Sequence, residues 1–369
     1  MRHAVVVGAG IGGLTAAAAL RRRGWAVTVL ERAASIEPVG AGLAMAPNAL
    51  RALDVIGVGD PVRRLSAFQG SGGIRTKTGK WLSRTSAEAA QERYGDPTVL
   101  LHRAELVDLL AAQAPEIELG TPVESVTADG VVTTAKGELR ADLVVAADGL
   151  RSRVRAQLFP SLPGPVYAGV TSWRLITPYA GARPSESWGD GQVFGVMPLA
   201  GDQVYAYATV PAPPGGSSPD ELADLKRLFA GWHDPIPAVL GGTDPAKVIR
   251  TDIFSLETAP PAYHSGKVAL LGDAAHAMTP NLGQGACQAI EDAVTLAYTN
   301  DLESYSAARM PRTAPIVKRS RTLARITAWR NPVAVAARNS LVSLAGRLGT
   351  TAALRQMDTV FAWEPPVRP

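Results

Sequence analysis

The chain has 369 residues, 46% apolar and 19% charged, with a net charge of +4, enough for a full core and for two domains. No apolar run approaches the roughly 18 residues of a membrane helix, which excludes integral membrane contact. One cysteine, Cys287, rules out an internal disulfide and a cysteine metal cluster; no metal site is expected, and a reducing, cytoplasmic setting fits.

The first element is a buried strand, Ala4–Val7. Gly8, Gly10, Gly12 and Gly13 cut it off, so it does not continue as a signal peptide. A helix runs from Leu14 through Arg23 to a stop at Gly24, and a second strand, Ala26–Leu30, ends in Glu31. This is G-x-G-x-x-G between strand and helix, with an acid 23 residues beyond Gly8, the context that dinucleotide binding requires. Gly8 permits the turn, Gly10 admits a pyrophosphate, and Gly13 lets helix and strand pack. Glu31 can accept from ribose hydroxyls and repels a 2′-phosphate, which leaves FAD or NAD. Arg21, Arg22 and Arg23 read as an exposed helix end favoured by the dipole.

Pro38–Asn48 reads as a glycine-rich loop leading to a helix capped around Asn48, and Leu65–Thr78 and Trp81–Arg84 read as strands and turns. An amphipathic helix starts near Arg103. A cation is poorly placed at a helix start, so it invites an anionic partner. Strands are expected at Val123–Val126, Gly130–Thr134 and Leu143–Ala147. The last runs into Asp148-Gly149, which could place a carboxylate near ribose or phosphate, or could be a plain turn before a capped helix.

From about residue 163 to 264 the pattern changes to period two. Val170–Ile176, Gln192–Met197 and Gln203–Thr209 are expected to form an antiparallel sheet. Trp173 and Leu175 share one face, Ser172 and Arg174 the other; Tyr205, Tyr207 and Thr209 oppose Val204, Ala206 and Ala208. Tyr205 and Arg174 are candidate substrate contacts, with Tyr205 facing either a cavity or water. Helices are expected over Asp220–Phe229 and Pro235–Leu240.

A short apolar strand then ends in Gly272-Asp273, followed by a glycine-rich turn and a helix opening near Gly285. Such an N-terminus offers free N–H groups and positive dipole potential to an anion. His276 reads as a residue packing the turn, and Cys287 as a small core residue. Residues 301–369 hold 11 Lys/Arg against 4 Asp/Glu, whereas the other 300 hold 26 against 29. Arg309, Lys318, Arg325, Arg330, Arg338 and Arg347 fall at helical spacing and read as solvated helix faces. No basic and aromatic residues interleave, so no nucleic acid is expected as a partner.

Taken together, Gly8-x-Gly10-x-x-Gly13…Glu31-Arg32, Arg103, Asp148-Gly149…Arg155 and Gly272-Asp273…Pro280…Gly283-Gln284-Gly285…Glu291-Asp292-Ala293 closely resemble the single-component FAD-dependent aromatic monooxygenases, the group of p-hydroxybenzoate hydroxylase, salicylate hydroxylase and FAD-dependent urate hydroxylase. The resemblance implies an α/β fold: a Rossmann-like, three-layer FAD-binding domain with an inserted antiparallel-sheet substrate domain and C-terminal helices. The division it suggests is 1–69, 97–162 and 265–300 for FAD, 70–96 and 163–264 for substrate, and 301–369 as a helical region.

By the same likeness FAD is non-covalent, and NAD(P)H docks transiently as reductant. Gly8, Gly10, Gly12 and Gly13 serve the pyrophosphate and Glu31 the ribose. Arg32 and the Val123 backbone lie by the adenosine, and Arg103 by the pyrophosphate and ribityl. Asp148 serves FAD and the coenzyme, Asp273 the ribityl chain, and Gly283, Gln284, Gly285 and Ala286 the pyrimidine edge. Pro280 lies over the flavin's reactive side. The implied reaction hydroxylates or epoxidises a small aromatic or polycyclic substrate with dioxygen, through a C4a-hydroperoxyflavin, in a monomer or homodimer. The alternative on this scaffold is a reductase or oxidase without oxygen insertion; the halogenase W-x-W-x-I-P signature is missing.

Overall fold

The structure, a computed structural model, describes residues 1–36, 41–66, 70–114, 116–347 and 349–367. Residues 38–40 of the expected glycine-rich loop and 67–69 of the expected strand run lie outside them.

A six-stranded sheet forms the first half of the molecule, in the order His264–Ser265, Val268–Leu270, Leu143–Ala146, His3–Val7, Ala26–Leu30, Ile117–Glu118. Its pairings are parallel except for the first, an antiparallel edge. Strands covered on both faces read as unbroken apolar runs rather than alternation, which is why Ala4–Val7 and Leu143–Ala146 are buried throughout. Helices Ile11–Arg22 and Gly285–Tyr298 pack against each other. A three-stranded antiparallel sheet (Val123–Val126, Val131–Thr134, Gly137–Arg140) adjoins this half.

The second half is a seven-stranded sheet in the order Ile249–Ser255, Val166–Pro178, Gln203–Pro211, Val193–Leu199, Ser185–Trp188, Ser71–Thr76, Trp81–Ser86. All its pairings are antiparallel except Ser185–Trp188 with Ser71–Thr76. Its period-two strands bury one face: Trp173, Leu175, Val204, Ala206 and Ala208 pack with Leu225, Phe229 and Val239 of helices Glu221–Leu228 and Ile236–Gly241. This apolar cluster is separate from the one around the six-stranded sheet. The opposite face carries Arg174, Ile176, Tyr205 and Tyr207 and turns towards the first half, where Tyr205 packs on Ala41. The fold is therefore mixed α/β, closing with helices Leu302–Thr327 and Pro332–Arg347 and two short turns of helix.

Three expectations need correction. Asn48 does not cap its helix. Pro47 takes the first position after Ala46, as its fixed φ and missing N–H favour, and Asn48 is buried one residue further in. A short helix, Gly59–Arg64, precedes the expected strand run, of whose described residues Ser71–Thr76 form a strand. Of the basic residues read as solvated, Lys318, Arg325, Arg330 and Arg347 are exposed, but Arg309 and Arg338 are buried. Acceptors on other elements hold both: Glu291 and Asp292 for Arg309, and the Gly189 carbonyl for Arg338. Among the described residues no helix is long and apolar enough to cross a membrane, and no group of three or more His, Cys, Asp or Glu could hold a metal.

Candidate active site

The glycine loop is shaped by close approach. Gly8 has φ +104°, and a Cβ there would sit 2.6 Å from the Ala147 carbonyl oxygen. At Gly13 it would fall 2.0 Å from the Gly8 oxygen, and at Gly12 2.6 Å from Leu271 Cδ2. Gly10 is different: nothing lies within 4 Å of its Cβ position. Three glycines therefore pack the loop, and the fourth leaves open space before its backbone. Glu31 accepts from the Ala9 N–H at 2.7 Å and the Ala33 N–H at 2.9 Å. Two of the roughly four lone-pair sites of its carboxylate are thus used in holding the loop. Arg32 is exposed beside it, and Val123 is half-buried at the start of its strand.

The Asp148-Gly149 turn is tied to the Asp273 segment by one buried side chain. Arg155 donates to the Ala274 carbonyl at 2.9 Å and to the Leu150 carbonyl at 2.8 Å. Ser152 caps the helix Arg153–Leu158, so the plain-turn reading describes the backbone. Asp148 accepts from the Val154 N–H at 3.2 Å with Oδ2, while its buried Oδ1 has no partner.

Asp273 opens a four-residue helix, Asp273–His276. Its side chain reaches solvent, yet the surrounding protein desolvates it. Burial pushes its carboxyl above the ordinary range, against the pull of His276, Arg103 and Arg155. Asp273 thus lines an accessible cleft within reach of the charges of Arg103 and Arg155. Burial also depresses the Arg103 guanidinium, and Arg174 adds to that while Asp273 opposes it. The cleft thus holds a cation short of negative charge, an orphaned carboxylate oxygen and a glycine with open space. These features fit the pyrophosphate and hydroxyl groups of a dinucleotide.

Pro280–Leu282 forms a single 3₁₀ turn ended by Gly283 at φ +62°. Gln284 precedes the helix Gly285–Tyr298, and nothing lies within 4 Å of a Cβ added at Gly283 or Gly285. Below this start lies a buried polar network. Gln284 Oε1 accepts from Asn48 at 3.1 Å and Gln288 at 3.0 Å, and Asn48 also donates to Glu291 at 2.6 Å. Arg309 donates to Glu291 and Asp292 at 2.6 Å each, and Arg312 to Glu291 Oε1 at 2.8 Å. His276 is buried with Nε2 2.6 Å from Asp292 Oδ2, a packing role as its motif suggested.

Burial raises the Asp292 carboxyl, but the charges of His276 and Arg309 overturn this and bring it to about 2. Between pH 3.8 and about 2 the unfolded chain takes up a proton that the folded chain does not. The stabilisation is therefore complete above that window and is lost as pH falls through it. Urea midpoints measured at pH 5 and pH 3 should fall more steeply for the wild type than for Asp292→Asn; equal slopes would remove Asp292 from the acid transition.

On the sheet, Tyr205 rests on the cofactor half: a Cβ at Gly42 would meet its ring at 2.6 Å. Burial raises its phenol, partly offset by Arg174. Arg174 is half-buried and donates to Thr251 at 3.0 Å. Pro280 is exposed on a crevice shared with Val170, Thr209, Asn281 and Thr327. Cofactor cleft and sheet therefore meet at Arg103 with Arg174 and at Gly42 with Tyr205. Sequence reading missed the roles of Asn48, Arg309 and Glu186, whose carboxylate accepts from Trp188 Nε1 and the Tyr207 hydroxyl on the seven-stranded sheet. The last had one signal, an acid placed two residues from Trp188 on a short strand, hence on the same face.

Residues 2–319 match the family described as FAD binding domain. The chain is 40% identical to the aurachin C monooxygenase/isomerase of Stigmatella aurantiaca, over 92% of this chain and 93% of that protein. It is 34% identical to an FAD-dependent urate hydroxylase of Klebsiella pneumoniae, over 88% and 90% of the two chains. The crystal structure of Klebsiella pneumoniae HpxO complexed with FAD and uric acid superposes with a TM-score of 0.89 at 30% identity, covering 99% of this chain and 97% of that one. The cleft chemistry, the sheet facing it and these similarities agree: the chain belongs to the FAD-binding-domain family and is an FAD-dependent monooxygenase.

Proposed function

We propose that the protein uses NAD(P)H and dioxygen to hydroxylate or epoxidise a small aromatic or polycyclic compound held between the cofactor cleft and the inner face of the seven-stranded sheet. The observation that carries this is the meeting of the two halves. Half-buried Arg103, with Asp273 as its counter-charge, feels the charge of Arg174 on the sheet, and Tyr205 of the same sheet packs on Ala41. FAD, when bound, supplies hydride acceptance and oxygen activation, the chemistry that belongs to the cofactor. The protein binds, orients and excludes water.

In this reading Gly8, Gly10, Gly12 and Gly13 take the pyrophosphate, and Glu31 keeps two lone-pair sites for ribose. Arg32 and Val123 flank the adenosine, Arg103 neutralises phosphate, and Asp148 and Asp273 accept from hydroxyls. Gly283, Gln284, Gly285 and Ala286 place a helix N-terminus where negative charge develops on reduction, which its N–H groups and dipole favour. Pro280 shapes the wall over the reacting ring; Tyr205 and Arg174 contact the substrate. The seven-stranded sheet with its two helices acts as the substrate domain. The protein works as a monomer or homodimer in a reducing, cytoplasmic setting, consistent with its one buried cysteine.

Holoenzyme mixed anaerobically with NADH or NADPH should bleach its flavin, faster with a bound ring compound. Turnover under ¹⁸O₂ should add one labelled oxygen atom to a product. Coenzyme oxidation yielding peroxide alone across a broad panel of aromatic compounds would establish a reductase or oxidase instead.

A further inference from the structure

Across the inner face of the seven-stranded sheet, Arg174, Tyr207, Gly195, Glu186 and Ile74 pair strand to strand in one row. The next residue, Arg75, pairs with Ser187 and therefore points to the outer face, the one that packs on helices and is turned away from the cofactor cleft. Ser187 agrees with this direction. Its hydroxyl lies 2.8 Å from His233 Nε2, on the loop that leads into the outer helix Ile236–Gly241. Here the outer side holds a cavity of about 210 Å³, whose walls include Arg75, Tyr179, Ala182, Arg183, Asp234 and Pro235. Tyr179 and Ala182 also pack against the outer apolar cluster. No wall residue belongs to those placed around the cofactor.

Arg75 is held flat with its donors unused. Its guanidinium carbon lies 3.9 Å from the Trp81 ring centroid, and that of Arg84 lies 4.6 Å from a centroid of the same residue. Stacking occupies the face of a guanidinium and leaves its in-plane N–H groups for an acceptor. Arg75 Nε is nevertheless buried without a hydrogen-bond partner. Burial depresses the Arg75 guanidinium, and the charges of Arg84 and Arg183 add to that, with no acid opposing them. Trp81 thus gathers two cations, and Arg183, just ahead of the strand Ser185–Trp188, brings a third. Asp234 on the wall is exposed, and Arg75 feels the two cations rather than this carboxylate. Desolvation and repulsion at Arg75 are both costs that an anion in the cavity would remove.

We infer that this outer cavity is a binding site for a phosphate group, carried by a small hydroxylated monoester or free in solution. Arg75 and Arg183 donate to its oxygens, and Asp234 is placed to accept from a neighbouring hydroxyl. Phosphate suits the donors, because a guanidinium edge meets two of its oxygens at once. It also brings up to two negative charges to three cations, where a monocarboxylate brings one. The site lies across the sheet from Arg174 and Tyr205, so it is independent of the ring-oxygenation reading.

The test uses holoenzyme saturated with FAD, so that phosphates do not enter the cofactor cleft, in a buffer free of phosphate. Inorganic phosphate, ribose 5-phosphate and ribose are titrated by calorimetry, with a thermal melt of each mixture. At least one of the two phosphates should bind with a Kd below about 1 mM and raise the melting temperature. Ribose should do neither. Tighter binding of ribose 5-phosphate identifies a monoester as the ligand; equal or tighter binding of inorganic phosphate identifies the free ion. Arg75→Gln and Arg183→Gln should each weaken binding about tenfold or more, through loss of a charge-assisted contact. Arg183 is exposed, so without phosphate Arg183→Gln should melt at or above the wild-type temperature, one repulsion having been removed. This variant keeps the test decisive if Arg75→Gln fails to fold. Failure of both phosphates to bind overturns the site, as does ribose binding as tightly as its phosphate. Undiminished binding in either variant that folds would place the ligand elsewhere and overturns it too.

Discussion

Replacing Arg309 with Met is expected to lower folding stability by about 3–5 kcal/mol, the cost of stranding buried charge. The Arg309 side chain is 1% exposed and faces Glu291 and Asp292, each fully buried. It also donates to the Gln288 side chain at 2.8 Å. Arg312 still reaches Glu291 and His276 still reaches Asp292 after the change, so both carboxylates lose part of their compensation. The variant should also release FAD, because Glu291 and Asp292 sit two turns into the helix that starts at Gly285. Urea unfolding with FAD content measured in parallel checks both effects. Adding Glu291→Gln to Arg309→Met should restore part of the loss, since one stranded charge disappears. A drop below about 1 kcal/mol for Arg309→Met would mean that the network relaxes around the gap.

The second large effect separates folding from cofactor binding. Gly10 has φ −72° and ψ 177°, a conformation open to any residue, and nothing lies within 4 Å of its Cβ position. Gly10→Val should therefore leave the melting temperature of the apoprotein unchanged while filling the space before the loop. FAD affinity should fall at least a hundredfold, about 2.7 kcal/mol. Gly13→Ala behaves differently, because its Cβ would lie 2.0 Å from the Gly8 oxygen, so both the melting temperature and FAD retention should drop. Fluorescence titration of apoprotein with FAD, beside a thermal melt, distinguishes the two. A Gly10→Val protein that is purified yellow with ordinary affinity would place the pyrophosphate elsewhere.

What could be read from the residues alone follows from how local the constraint is. The glycine loop was legible because backbone contacts forbid a Cβ at Gly8 and Gly13, so residue type carries the geometry directly. The strand Gln203–Pro211 was legible because one face packs on helices and the other does not, which writes a period of two into the chain. Glu186 was not. The strand Ser185–Trp188 is four residues long, and its meaning depends on Gly195 and Tyr207, register partners supplied by other strands. Arg309 was misread for a related reason: helical spacing separates faces of a helix but does not say which face meets an acid on another one. Asn48 favours caps by its chemistry, and here tertiary hydrogen bonds to Gln284 and Glu291 prevail over that local preference.

The separation of the two large apolar clusters, one around the six-stranded sheet and one between the seven-stranded sheet and its helices, with only a small cluster of Ala41, Leu199 and Tyr205 between them, bears on how such a protein can be altered. Substitutions that share no contacts add nearly independently. Changes at Phe194, Phe229 or Trp232 should then leave the stability of the cofactor half almost untouched, and changes along the first strand should do the same for the sheet. Changes at the contact of Tyr205 with Ala41 should instead register in both, so that seam is where tuning one half disturbs the other.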